Sequence, residues 1–159
     1  MARVYGMKFA VITMLGDMLK CVIAMLLSKW LKGDVGLMVS GIACITGHCF
    51  PVFYNFKGGK GVSVGGALGF IVDWRVGLAV LLFFLIGAFV THKVSVGSCC
   101  GCAAGLITAF MIGLPHCLIV LVVYAACLIV FKHTDNLTRV LNGTEPDFRA
   151  AKDTTDKLR

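Results

Sequence analysis

Residues 57–61 read Lys-Gly-Gly-Lys-Gly. Consecutive glycines let backbone N–H groups turn into one concavity, and two lysines add compact positive charge, so Lys57, Gly58, Gly59, Lys60 and Gly61 suit an oxyanion such as phosphate. The spacing is not that of a P-loop, G-x-x-x-x-G-K-[ST]. Taken alone, the run also describes a basic turn meeting lipid headgroups, and its bare composition favours that. His48 is a histidine, a side chain whose unperturbed charge change falls near neutrality, which suits a phosphate ligand or a proton carrier; a structural hydrogen-bond partner is the other reading. Ser95 and Ser98 share a helix face just after Lys93, where serine commonly bonds to backbone or a neighbouring helix. His133 and Asn136 stand three apart, with Arg139 at the same step. They share a face if the helix continues; otherwise the basic residues complement a solvated helix end. Asp17 and Lys20 lie three apart inside an apolar run, either as an internal ion pair or as functional groups. Glu145 and Asp147, beyond Gly143, read as a flexible tail.

Familiar catalytic patterns are missing. No Ser–His–Asp arrangement is visible by spacing. The H-x4-D pattern of the better-known glycerolipid acyltransferases is absent too: the fifth residue after His48 is Phe53, and after His133 it is Thr138. Cys99, Cys100 and Cys102 form no C-x-x-C pair and have no His at ligand spacing, so no metal site is expected. The eight cysteines fall mostly in or beside apolar runs, where free Cys behaves as a small hydrophobe.

The elements that must position these residues belong to a membrane. Hydrophobic residues make up 58% of the 159-residue chain and charged residues 14%, against about 25% in a soluble domain. Mean hydropathy is +0.91. Four runs are convincing spans: 7–27, 76–90, 94–113 and 116–131. Residues 35–46 and 62–72 are apolar but short, and they flank the aromatic, glycine- and lysine-rich stretch 47–61. Irregular backbone at membrane depth is tolerated only against protein or a water-filled cavity, so this loop is expected to line a cavity. The first run contains Asp17 and Lys20 and lacks a small-residue cleavage site, so it reads as a retained helix, not a signal peptide. Gly61, Gly65 and Gly69, and likewise Gly97, Gly101 and Gly105, recur at every fourth residue, a spacing that lets membrane helices approach closely.

The net charge of +7 is distributed as topology and not as a nucleic-acid-binding face. If all six pieces cross and the N-terminus is cytoplasmic, Arg3, Lys8, Lys57, Lys60, Lys93 and six basic tail residues lie inside, eleven in all, against Lys29, Lys32 and Arg75 outside. The expected fold is an all-α polytopic transmembrane bundle, with short or half-helices around a cytoplasmic pocket. Residues 1–135 form the membrane domain and 136–159 a cytoplasmic tail.

Longer motifs carry a resemblance. GHCFPVFYNFKGGKGVSV at 47–64 resembles the G-H-x-F-P-V-F-x-x-F-K-G-G-K-G-V-A-T motif of the bacterial acyl-phosphate:glycerol-3-phosphate acyltransferases. FKHTDNLTRVLNGTE at 131–145 is similar to the family's last motif, H-x-x-N-I-x-R-L-x-x-G-x-E, and VSVGS at 94–98 to its V-S-L-x-S. Asp17 to Lys20 resembles its D-x-x-K-G, with Cys21 for the glycine, and Arg3 sits where the first motif ends in arginine. Val64 replaces the family threonine, Ser63 stands one position early, and Lys93 stands where tyrosine is common. The family's preceding helix and G-S-G-N-x-G-A-T-N loop are expected to be missing.

The resemblance implies transfer of a fatty acyl group from acyl phosphate to the 1-hydroxyl of glycerol-3-phosphate, without acyl-CoA, cofactor or metal. Lys57, Lys60 and Gly58 to Gly61 would hold phosphate. His48, Ser95, Ser98, His133 and Asn136 would line the polar pocket, and Arg3 would meet the glycerol-3-phosphate phosphate. Acyl phosphate is already activated, so the protein must mainly bind two anions together and orient the hydroxyl. The implied setting is a bacterial inner membrane with the site facing the cytoplasm, fed by a soluble enzyme that makes acyl phosphate. The alternatives are a shortened inactive homologue, a small anion-binding membrane protein and, more remotely, a transporter.

Overall fold

The computed structural model describes residues 7–147. Six helices follow one another: α1 (Met7–Cys49), α2 (Val62–Val72), α3 (Trp74–Thr91), α4 (Val94–Met111), α5 (His116–Lys132) and α6 (Thr134–Leu141), with one 3-10 turn at Val52–Tyr54. No strand occurs among the described residues.

The first span and the first short piece are the two limbs of α1. They meet at Lys32 and Gly33, and Gly33 adopts φ +60°, ψ −146°, a conformation that side-chain-bearing residues avoid. Three residues later the limbs almost touch: a Cβ on Gly36 would stand 2.1 Å from the Ser28 carbonyl oxygen. The limbs then run antiparallel, so that Asp17 of the first faces His48 near the end of the second.

Glycine sets the remaining contacts. A Cβ on Gly97 would meet the Phe84 carbonyl oxygen at 2.5 Å, and one on Gly101 the Val80 carbonyl oxygen at 2.9 Å, so α3 and α4 pack backbone to backbone. Gly65 abuts Ile129 of α5, and Gly69 abuts Gly77 of α3. Both ladders therefore act in packing, as their spacing predicts. The core lies between the second limb of α1, α2 and α5, where Leu37, Ile45, Val64, Leu68 and Leu121 are buried. A hydrogen bond of 2.7 Å between Thr46 and Tyr124 ties α1 to α5. All eight cysteines are free.

Outward faces are apolar. Phe9, Leu19, Ile23, Leu82, Phe83 and Phe89 are all exposed, a surface stable only against lipid. Among the described residues three helices are long and apolar enough to cross a membrane, or four if α5 and α6, bent by 55°, form one broken span. Because α1 doubles back at Gly33, its two limbs lie side by side in the bundle. The chain is a multi-pass α-helical membrane protein.

The two ends of the bundle differ. Lys60 touches Asn136, and Lys93 touches Glu145, so the 50–61 loop, the start of α4 and α6 share one end. The α1 bend and the start of α3 lie at the other. There Asp73 caps α3, accepting from the Arg75 amide at 2.8 Å and pairing with its guanidinium at 2.9 Å.

Candidate active site

The glycine loop lies flat on the end of α1. The Gly59 amide donates to the His48 carbonyl at 3.1 Å. A Cβ on Gly59 would come within 2.1 Å of His48 Nε2, and one on Gly58 within 2.2 Å of the His48 carbonyl oxygen. Close approach is thus the immediate reason for these glycines, and the Gly59 N–H is already engaged. Gly61, at φ +79°, turns the chain into α2, whose first N–H groups lack partners within the helix and leave a positive helix end there.

Lys60 reaches across the bundle end to the Asn136 carbonyl oxygen. Beyond Asn136 lies a hub that sequence reading missed. Glu145 is buried and accepts from Asn136 Nδ2 at 2.7 Å, Arg139 Nε at 2.8 Å and Ser95 Oγ at 3.3 Å. Its own carbonyl accepts from Lys93 Nζ at 2.6 Å, and that ammonium also pairs with Asp147 at 3.1 Å. The segment expected to be a loose tail is therefore fastened to the bundle as far as Asp147. The signal was an acid two residues beyond a glycine that ends α6, in a basic neighbourhood.

The helix carrying Asn136 is not a continuation of α5. The chain breaks at His133, which is buried and bonds back to the Ile129 carbonyl through Nδ1 at 2.8 Å. The break swings α6 across the bundle end, and this brings Asn136 and Arg139 over the start of α4. Lys132, just before it, donates to the Cys49 carbonyl at 3.2 Å and sits over the Phe50 ring, tying the end of α5 to the end of α1.

Electrostatics follow from this crowding. Partial burial lowers the Lys60 pKa, nearby Glu145 opposes that, and Arg139 and Lys132 lower it further. Burial also lowers that of His133, against its bond to Ile129. Burial pushes Glu145 upward, yet the hydrogen bonds from Asn136 and Arg139 outweigh it and leave the carboxyl below its ordinary range.

Below this polar mouth opens a cavity of about 630 Å³, a size typical of small-ligand sites. His48, Lys60, Ser63 and Ser98 line its rim, and Gly66, Phe70, Val80 and Val122 its apolar walls. Along α2 it runs from Val62 to Phe70, about 12 Å at 1.5 Å per residue. The arrangement can hold a phosphorylated headgroup at the rim with its hydrocarbon chain among the helices.

Of the expected site residues, His48, Lys60, Gly61, Ser95, Ser98, His133 and Asn136 gather at this end. Gly58 and Gly59 support His48, and Lys57 is exposed on the loop. Arg3 lies outside the described residues. Among the described residues no group of three or more metal-binding side chains converges.

Comparison with known proteins points one way. The family model described as glycerol-3-phosphate acyltransferase matches residues 1–143. The glycerol-3-phosphate acyltransferase of Finegoldia magna is 37% identical over 151 residues, covering 90% of this chain and 73% of that one. That of a Thermoanaerobacter species is 35% identical over 143 residues, covering 90% and 72%. Crystal structures of PlsY, an integral membrane glycerol 3-phosphate acyltransferase, superpose with TM-scores of 0.87 in the glycerol 3-phosphate form and 0.86 in the lysophosphatidic acid form. Both are 31% identical and cover 92% of this chain, and the chain covers 74% and 76% of them.

Proposed function

The chain belongs to the glycerol-3-phosphate acyltransferase family, and from that premise we propose that its donor is an acyl phosphate and its product lysophosphatidic acid. The reading rests on one observation: a cationic rim, Lys60 with the Asn136–Glu145–Arg139 network, stands over an apolar cavity of about 630 Å³. Such a site fits a substrate with phosphate at one end and hydrocarbon at the other.

The chemistry asks little of the protein. The 1-hydroxyl oxygen of glycerol-3-phosphate attacks the acyl carbon. The bond from that carbon to the phosphate oxygen breaks, and the hydroxyl proton passes to the departing phosphate. Two anions must be held together and the hydroxyl oriented, which is work for preorganised donors and cations. Lys60, with Lys57 and the amides of Gly61 and the α2 start, holds phosphate. Asn136, Ser95, Ser98, His48 and His133 form the polar wall, and Arg3 meets the phosphate of glycerol-3-phosphate. Glu145 acts through Asn136 and Arg139 to fix the wall.

The rim faces the cytoplasm of a bacterial cell. Lys8, Lys57, Lys60, Lys93, Lys132 and Arg139 sit at or near its end of the bundle, and Lys29, Lys32 and Arg75 at the other, the asymmetry expected of a cytoplasmic side. Residues 1–135 form the membrane domain and 136–159 a cytoplasmic tail whose first part folds back onto the rim. A soluble enzyme supplies the acyl phosphate.

The test is the purified chain in lipid nanodiscs, given acyl phosphate and glycerol-3-phosphate, with lysophosphatidic acid and phosphate followed together. Equimolar appearance of both is expected. Glycerol-3-phosphate bound without any product would replace this reading with that of an anion-binding membrane protein.

A further inference from the structure

Asp17 lies within the first limb of α1, where an ionisable group is costly to keep. Its carboxylate has two partners. One oxygen pairs with Lys20, one turn away, and the other faces His48 Nδ1 on the second limb at 3.4 Å. The ion pair alone would explain an acid beside Lys20. It would not explain why the acid also meets the histidine on which the glycine loop rests.

His48 joins three elements. Its Nδ1 faces Asp17, its carbonyl accepts from the Gly59 amide at 3.1 Å, and its Nε2 lies where a Gly59 Cβ would stand, 2.1 Å away. One face of the loop is thus moulded on the ring. A rotated ring displaces Gly59, and with it Lys60, the next residue, which must span to Asn136.

We infer that Asp17 is a positioning residue: by fixing the His48 ring it sets the height of the glycine loop and so the place of the Lys60 ammonium over the cavity rim. The inference rests on the reading of that loop as the phosphate holder. Misplacing a binding group by about 1 Å can cost up to a hundredfold, so a device of this kind has a measurable effect.

The experiment compares Asp17→Asn, Asp17→Glu and Lys20→Met in nanodiscs, by calorimetric titration with inorganic phosphate and by KM and kcat for acyl phosphate. Asp17→Asn is expected to weaken phosphate binding and raise the acyl-phosphate KM by about tenfold or more, with kcat changed less. Asp17→Glu, which keeps a carboxylate for His48, recovers most of the loss. Lys20→Met removes the ion pair alone and stays within about twofold of wild type. Gly59→Ala presses on the same ring from the other side and weakens phosphate binding even if Asp17→Asn does not fold. The inference is overturned if Asp17→Asn or Gly59→Ala binds phosphate as wild type does, or if Lys20→Met loses as much as Asp17→Asn. Phosphate binding without acyl transfer in the wild type would sink the transferase reading and leave this one standing.

Discussion

Asn136 donates through Nδ2 to Glu145 Oε1 at 2.7 Å while its own carbonyl oxygen takes the Lys60 ammonium. The amide thus links an acid near the C-terminal end of the described chain to a cation from the glycine loop. The acid fixes which way the amide points, and the amide fixes where the ammonium sits.

Replacing Glu145 by Gln tests that linkage. The variant keeps shape but loses the charge that Arg139 and Asn136 serve, at a cost of about 1.5–3 kcal/mol for charge-assisted bonds, and turnover falls at least tenfold. The pH dependence has a definite sign. The folded carboxyl titrates below its ordinary range, so its contribution is complete above that range and is lost as pH falls through the lower folded value. Thermal melting of wild type should therefore hold steady from neutral pH down to the ordinary glutamate range and decline as pH falls through that range to the lower folded value, whereas Glu145→Gln starts lower and lacks that share of the fall. A variant melting and turning over like wild type would remove Glu145 from the site.

Lys60 makes the opposite pH prediction. Burial lowers its pKa, so the charge that grips phosphate is present below that value and disappears as pH rises through it. The alkaline fall in acyl-phosphate kcat/KM should begin below the ordinary lysine range. Lys60→Ala should abolish turnover. Lys60→Arg should retain a measurable rate and carry the alkaline fall upward, because guanidinium does not deprotonate there. Lys60→Ala with wild-type turnover would show that the phosphate is held elsewhere.

Much of this was legible in the sequence, for physical reasons. Helix spans follow from apolar length, and both glycine ladders pack as their spacing implies. The 47–61 loop had to be cavity-lining because irregular backbone is not stable in lipid. Three features were not readable. The bend at Gly33 joins two runs that look like separate helices separated by a polar linker. The break at His133 redirects α6 by tertiary packing, where the local pattern allowed a continuous helix. Glu145 reads as tail because an acid two residues past a glycine does not by itself say what it meets; its four donors come from α4, from Lys93 just before α4, and from α6. Asp17 remained ambiguous for the same reason, since its second partner is thirty-one residues along the chain, across a hairpin.

Adjacent glycines on α2 separate packing from binding. Both line the cavity, but a Cβ on Gly65 would press within 2.6 Å of Ile129 Cδ1, whereas one on Gly66 has nothing within 4 Å. Gly66→Ala should fold as well as wild type or better, since alanine in a helix is favoured over glycine by about 0.5–1 kcal/mol. Gly66→Leu extends into the cavity about midway between Lys60 and Phe70. It should raise the acyl-phosphate KM by about tenfold or more for long chains and less for short ones, with the glycerol-3-phosphate KM unchanged. Gly65→Leu should instead lower the melting temperature, because it separates α2 from α5. If Gly66→Leu leaves the acyl-phosphate KM unaltered at every chain length, the hydrocarbon does not run through this cavity.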